Sequence, residues 1–122
     1  MGGGYDPFVA TTELPVIRQR GTCCELPEVD SGWAEGTADV LKALADPTRL
    51  MMIASLWRAR SPICICDFTG AFELSQPTIS HHMSKLKDAN LVESEKHGIW
   101  VYYQLRDDLP QPTRRLLAQL LD

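Results

Sequence analysis

A short apolar-faced helix, a tight turn into a helix polar on one side, and two extended segments around a glycine predict a winged helix-turn-helix. This is a mostly α fold with a β-hairpin wing. The chain has 122 residues, enough for one compact domain and too few for two. Its apolar share of 44% and charged share of 23% are ordinary for a soluble globular protein. No apolar run approaches the ~20 residues that span a bilayer. The start, MGGGYDPF, lacks the basic-then-apolar order of a signal peptide, so a cytoplasmic location is expected.

Taken in order, residues 1–31 read as a flexible arm rich in Gly, Pro and Thr, without a sustained period and carrying Cys23-Cys24. Residues 32–122 read as the folded domain. Trp33, Ala34, Val40, Leu41 and Leu44 recur at helical spacing after a Ser31 cap. In ADPTRLMMIASLW a second helix starts, with Asp46 as cap, Pro47 in the first turn and Leu50, Ile53, Ala54 and Trp57 as its buried stripe. Pro62 stops it. Asp67 to Phe72 form a short third helix, with Asp67 favoured near the positive N-terminal end.

LSQPTISHHMSKLKDANLV is the most informative stretch. Ser75 caps it, Gln76 and Pro77 open the helix, Ile79, Met83 and Leu86 share a face, and Asn90 closes it. Leu91 to Glu95 and Ile99 to Leu105 then read as a hairpin around Lys96-His97-Gly98. A last helix carries Leu109, Leu116, Leu117, Leu120 and Leu121. That is more leucine than one short helix buries alone, so part of it is expected to face a second subunit in a homodimer.

Net charge is −4, so composition gives no support for nucleic-acid binding, and the case is local. A DNA-reading helix needs small hydrogen-bonding residues near its N-terminus and an apolar back to seat it. Ser75, Gln76, Thr78, Ser80 and His81 suit base or phosphate contacts, and Lys85, Lys87, Lys96 and His97 suit phosphates. A merely solvated polar face would carry the same pattern. His82, beside Met83, reads as a packing residue.

All four cysteines fall in two close couples, Cys23-Cys24 and Cys64-Ile65-Cys66. In a reducing compartment such couples point to metal ligands or redox groups rather than staples. A nucleophilic thiol needs a base or cation beside it. The three histidines all lie in the polar-faced helix or the wing, away from every cysteine in sequence, and no phosphate-cradling glycine loop occurs. An enzyme is therefore not expected.

LKALADPTRLMMI, CICDFTGAFELSQPTISHHMSKLKDANLV and HGIWVYYQL closely resemble the ArsR-type metalloregulatory repressors of bacteria, from about Trp33 to Leu105. The resemblance implies a dimeric winged-helix repressor that sits on double-stranded operator DNA and lets go when a toxic metal or metalloid binds. In that family, Cys-x-Cys-Asp before the recognition helix resembles the thiolate site of arsenic, antimony, cadmium and lead sensors. Cys64, Cys66 and Asp67 match it. An adjacent pair in the arm, here Cys23 and Cys24, is similar to the arrangement in actinobacterial arsenic sensors. The chain departs from some relatives in having Thr69 where they place a third cysteine, and in lacking histidine on the last helix.

Thiolates select soft ions and disfavour Mg, Ca and Mn. Trivalent arsenic or antimony takes three sulfurs in a pyramid and leaves a neutral centre that Ile63 and Ile65 tolerate. Divalent cadmium, lead or zinc takes four and leaves charge to be offset. Neighbouring cysteines favour the pyramid, so As(III) or Sb(III) is the expected inducer and Cd(II) or Pb(II) the alternative, with Cys23, Cys24, Cys64 and Cys66 as the ligand set.

Overall fold

The computed structural model describes residues 25–122. Along the chain lie α1 (Ser31–Leu44), α2 (Pro47–Ala59), β1 (Ile63–Cys64), α3 (Ile65–Phe72), α4 (Gln76–Asp88), β2 (Val92–His97), β3 (Trp100–Leu105) and α5 (Gln111–Leu121). The strands form one antiparallel sheet in the order β1-β3-β2. The arrangement is the expected winged helix-turn-helix.

The N-cap of α1 is Asp30, not Ser31: its carboxylate accepts from the Gly32 N–H at 3.0 Å. Asp46 caps α2 as expected, accepting from the Arg49 N–H at 3.0 Å, with Pro47 in the first turn. The buried stripe of α2 differs from the expected one. Met52, Ile53 and Leu56 face the core, while Leu50 is 37% exposed and Trp57 half-buried. This helix is apolar on most of its circumference, so spacing alone does not choose the inner face. Arg60, in the left-handed region at φ 54°, ends it before Pro62 is reached.

Strand β1 was not expected, because two residues are too few to show a period. It exists through its partners, Ile63 opposite Tyr103 and Cys64 opposite Tyr102. Helix α3 starts at Ile65 rather than Asp67. Phe68 is buried and meets Phe72 edge-on at 5.7 Å.

Helix α4 ends as a Schellman motif. The Leu91 N–H donates to the Leu86 carbonyl at 3.0 Å and the Asn90 N–H to the Lys87 carbonyl at 2.9 Å, with Asn90 at φ 60°. Leu86 and Leu91 are both fully buried, so the closing turn also delivers chain into the core. The hairpin turn is Gly98-Ile99, flanked by the pair His97 and Trp100. Gly98 stands at φ 64°, a conformation that the first residue of such a turn requires and that glycine adopts without strain. Lys96 and His97 therefore belong to β2 and not to the turn where the pattern put them.

The core gathers Ile53 and Leu56 of α2, Phe68 of α3, Ile79, Met83 and Leu86 of α4, Tyr103 of β3 and Leu117 of α5. Burying each large aliphatic or aromatic side chain contributes about 1.5–3 kcal/mol. Leu109 is buried ahead of α5, and Leu117 and Leu121 seat that helix. Trp57 donates its indole N–H to Asp122 at 2.6 Å, tying the chain end to α2. Trp33 on α1 stays 59% exposed and Leu120 on α5 56% exposed. Among the described residues no helix is long and apolar enough to cross a membrane.

Candidate nucleic-acid interface and thiol site

Three residues, Glu73 to Ser75, join α3 to α4. The Ser75 hydroxyl accepts from the Thr78 N–H at 3.3 Å and lies 2.9 Å from the Thr78 hydroxyl. These two hydroxyls are thus engaged in holding the helix start. Gln76, His81, Lys85 and Lys87 stand exposed on α4, while Ile79, Met83 and Leu86 are buried; His81 and Lys85 lie opposite that buried stripe and Gln76 and Lys87 beside it. Ser80 is half-buried toward Tyr103. Burial pushes the Tyr103 hydroxyl above its ordinary pKa, and the Ser80 hydroxyl partly offsets that.

The wing divides by face, since alternate residues of a strand point to opposite sides. Lys87 of α4 donates to the Ser94 hydroxyl at 2.8 Å, which puts Ser94 and Lys96 on the side of the polar-faced helix. Glu93, Glu95 and His97 lie on the other side. There His97 pairs with Glu95 at 3.3 Å, and Gln104 donates to Glu93 at 2.6 Å. The structure therefore leaves Gln76, His81, Lys85, Lys87 and Lys96 exposed, puts Lys96 on the wing face that Lys87 reaches, and sets His97 on the other, acidic face.

Cys64 ends β1 and occupies the N-cap of α3, 5% exposed. Cys66 lies in the first turn of α3 and is exposed. Its thiol donates to the Cys64 sulfur at 3.0 Å. That hydrogen bond, with smaller contributions from desolvation and the nearby Asp67 carboxylate, pushes the Cys66 thiol above its ordinary pKa. Asp67 is exposed in the same turn. Among the described residues no group of three His, Cys, Asp or Glu side chains comes close enough to hold a metal ion. Cys64 and Cys66 thus supply two donors and leave any soft ion short of its full set. Cys23 and Cys24, the other expected ligands, lie outside the described residues.

Sequence pattern did not single out Arg49. Its Nε donates to the Ala43 carbonyl at 2.6 Å, and its Nη1 lies 3.3 Å from His82 Nδ1. The only local signal was its place three residues after the cap Asp46, and neither long contact can be read from that.

The family described as "bacterial regulatory protein, arsR family" matches residues 46–94. An arsenic resistance transcriptional regulator of Pseudomonas putida is 40% identical over 83 residues, covering 68% of this chain and 64% of that protein. The chain thus spans about two thirds of that relative's length. The arsenical resistance operon repressor of Escherichia coli is 38% identical over 80 residues, covering 66% of this chain and 68% of the other. Among solved structures, a homodimeric winged helix-turn-helix DNA-binding domain from Mycobacterium bovis superposes with a TM-score of 0.62 at 27% identity. It covers 74% of this chain and 79% of that one.

Proposed function

The chain belongs to the arsR family of bacterial regulatory proteins, a family of transcriptional regulators and not of enzymes, and we propose that it is a dimeric, cytoplasmic repressor released from operator DNA by trivalent arsenic or antimony. The observation that carries the sensing half of this reading is the pair of sulfurs 3.0 Å apart at the start of α3, one helix before the DNA-reading helix.

Dimerisation is supported by Trp33 and Leu41 on α1 and Leu120 on α5, large apolar side chains left in solvent on the first and last helices. Pairing there buries them and presents two α4 helices to successive major grooves of a palindromic operator. Gln76 and His81 would meet base edges, while Lys85, Lys87 and Lys96 would meet phosphates. The M. bovis domain is itself homodimeric.

On the thiol side, arsenous acid condenses with three thiols. Each S–H proton leaves with one hydroxide as water, and three As–S bonds form. With bonds of about 2.3 Å, a tetrahedral centre spreads two sulfurs to ~3.8 Å, whereas a right-angled apex brings them to ~3.3 Å. The 3.0 Å thiol–thiol hydrogen bond has to open for either, and by less for the pyramid. Cys64 and Cys66 would supply two sulfurs, and Cys23 or Cys24 of the arm the third. A divalent cadmium or lead ion, the second reading, would draw on all four thiols of the chain.

Release needs a route from sulfur to DNA. Helix α3 runs from Ile65 to Phe72 and hands the chain to Ser75 within three residues, so drawing Cys66 toward the arm displaces the cap of α4. A hundredfold loss of operator affinity requires about 2.7 kcal/mol of coupling, an ordinary allosteric size.

The test is a titration of the protein on DNA from upstream of its own gene with arsenite, antimonite, cadmium, lead and zinc in parallel. Arsenite and antimonite should release it at the lowest concentrations. Release by cadmium or lead alone would replace this reading with the divalent one, and failure to bind any such DNA would end both.

A further inference from the structure

We propose that Arg49 is a positioning residue for the DNA-reading helix, bracing α4 against the end of α1 through His82. The inference rests on α4 being the helix that meets DNA.

The last carbonyls of a helix have no partner inside it. At the end of α1, the Lys42 carbonyl accepts from the Ala45 N–H at 3.3 Å and the Leu44 carbonyl from the Asp46 N–H at 2.8 Å. The Ala43 carbonyl is served instead by Arg49 Nε at 2.6 Å, and Ala43 is buried, so an unmet acceptor there would be costly. The same guanidinium reaches His82 Nδ1 at 3.3 Å. Arginine only donates, so Nδ1 is the acceptor and the ring proton sits on Nε2.

Arg49 is itself held. Its backbone N–H donates to Asp46, and one turn further on the fully buried Met52 and Ile53 seat α2 in the core. One rigid fork thus joins three helices. The point of attachment on α4 matters: His82 is half-buried next to the fully buried Met83 and next to the exposed His81. Each residue turns a helix by about 100°. A rotation of α4 that re-aimed Gln76, His81 or Lys85 would therefore stretch the contact from Arg49 to His82. A lysine at position 49 keeps the charge but lacks the planar fork that serves both acceptors.

The test uses the full chain with Arg49→Lys, His82→Ala, His82→Asn and the Arg49→Lys/His82→Ala double variant. Operator affinity and melting temperature are measured for each, together with the ring 15N shifts of His82 in the DNA-free protein. Arg49→Lys and His82→Ala should each weaken operator binding roughly tenfold or more, and the double variant should be no weaker than the worse single one. His82→Asn, whose Oδ1 can stand in for the Nδ1 acceptor, should stay within about threefold of wild type.

Additive losses in the double variant, or an Asn variant as weak as the Ala one, would overturn the proposal. So would affinities that simply follow melting temperature. A Nδ1-protonated His82 in the wild type would overturn the brace alone, with no DNA involved. A wild-type chain that bound no operator would instead overturn the underlying reading, and the positioning role with it.

Discussion

The exposed thiol of Cys66 donates a hydrogen bond to the sulfur of the buried Cys64 at 3.0 Å. A pair so arranged keeps its proton, and the raised pKa of Cys66 states the same preference. Protonation matters because the candidate ions differ in what they displace.

Neutral arsenous acid meets three thiols and releases water, with no net proton. Cadmium must drive each thiol proton into solution, so its apparent affinity should rise about tenfold per pH unit for every protonated thiol it ionises. Cys66, with its pKa raised, stays protonated through neutral pH, and the slope for cadmium should hold across pH 6–8. Calorimetric titrations in buffers of different ionisation enthalpy will show arsenite affinity nearly flat over that range. A steep arsenite slope would mean that the protein binds it by other chemistry.

A second pH effect belongs to folding. The Asp46 carboxyl is held below its ordinary value chiefly by the Arg49 N–H it caps. Its charged form therefore stabilises the fold at neutral pH. That contribution begins to fade near the ordinary carboxylate pKa of about 3.9 and is lost as pH falls through the lower folded value. Asp46→Ala should lower the melting temperature by roughly 2–8 °C at pH 7. Asp46→Asn keeps a cap acceptor without the charge, so its melting temperature should approach that of wild type as pH drops toward 3. A gap that stayed constant with pH would contradict the assignment.

Two apolar residues carry the dimer prediction. Replacing exposed Trp33 and Leu120 with glutamate should leave the monomer fold intact, because neither is buried in it. Sedimentation should then show monomers, and operator affinity should fall at least a hundredfold as one of two half-site contacts is lost. Unchanged dimers would place the interface elsewhere.

The lysines of α4 should differ from Gln76 in how they fail. Lys85→Ala should weaken binding to all DNA sequences alike and reduce the slope of log affinity against log salt by about 1. Gln76→Ala should cost about 1–3 kcal/mol on the operator and little on unrelated DNA. Binding measured from low to physiological salt on both DNAs separates the two behaviours.

The sequence made α4 legible because every level agreed there: a Ser75 cap, a single apolar face of Ile79, Met83 and Leu86, and an Asn90 stop. The inner face of α2 was not legible, since Leu50, Met51, Met52 and Ile53 are consecutive apolar residues. Strand β1 is made by Tyr102 and Tyr103, some forty residues away, and has no local signature. The wing residues were slipped by the turn: with Gly98 as its first residue rather than its last, His97 moves onto the strand face with Glu95. Cys64 and Cys66 stood out from spacing, yet that one is buried and the other exposed follows from β1. Arg49 and His82 are 33 positions apart, beyond the reach of any periodic pattern.

The most direct test of the central claim compares the wild type with the Cys64→Ser/Cys66→Ser double variant on operator DNA as arsenite is added. Both should bind the DNA equally well without arsenite, and only the wild type should dissociate, its affinity falling about a hundredfold. Arsenite that still released the double variant, or that left the wild type bound, would contradict the account.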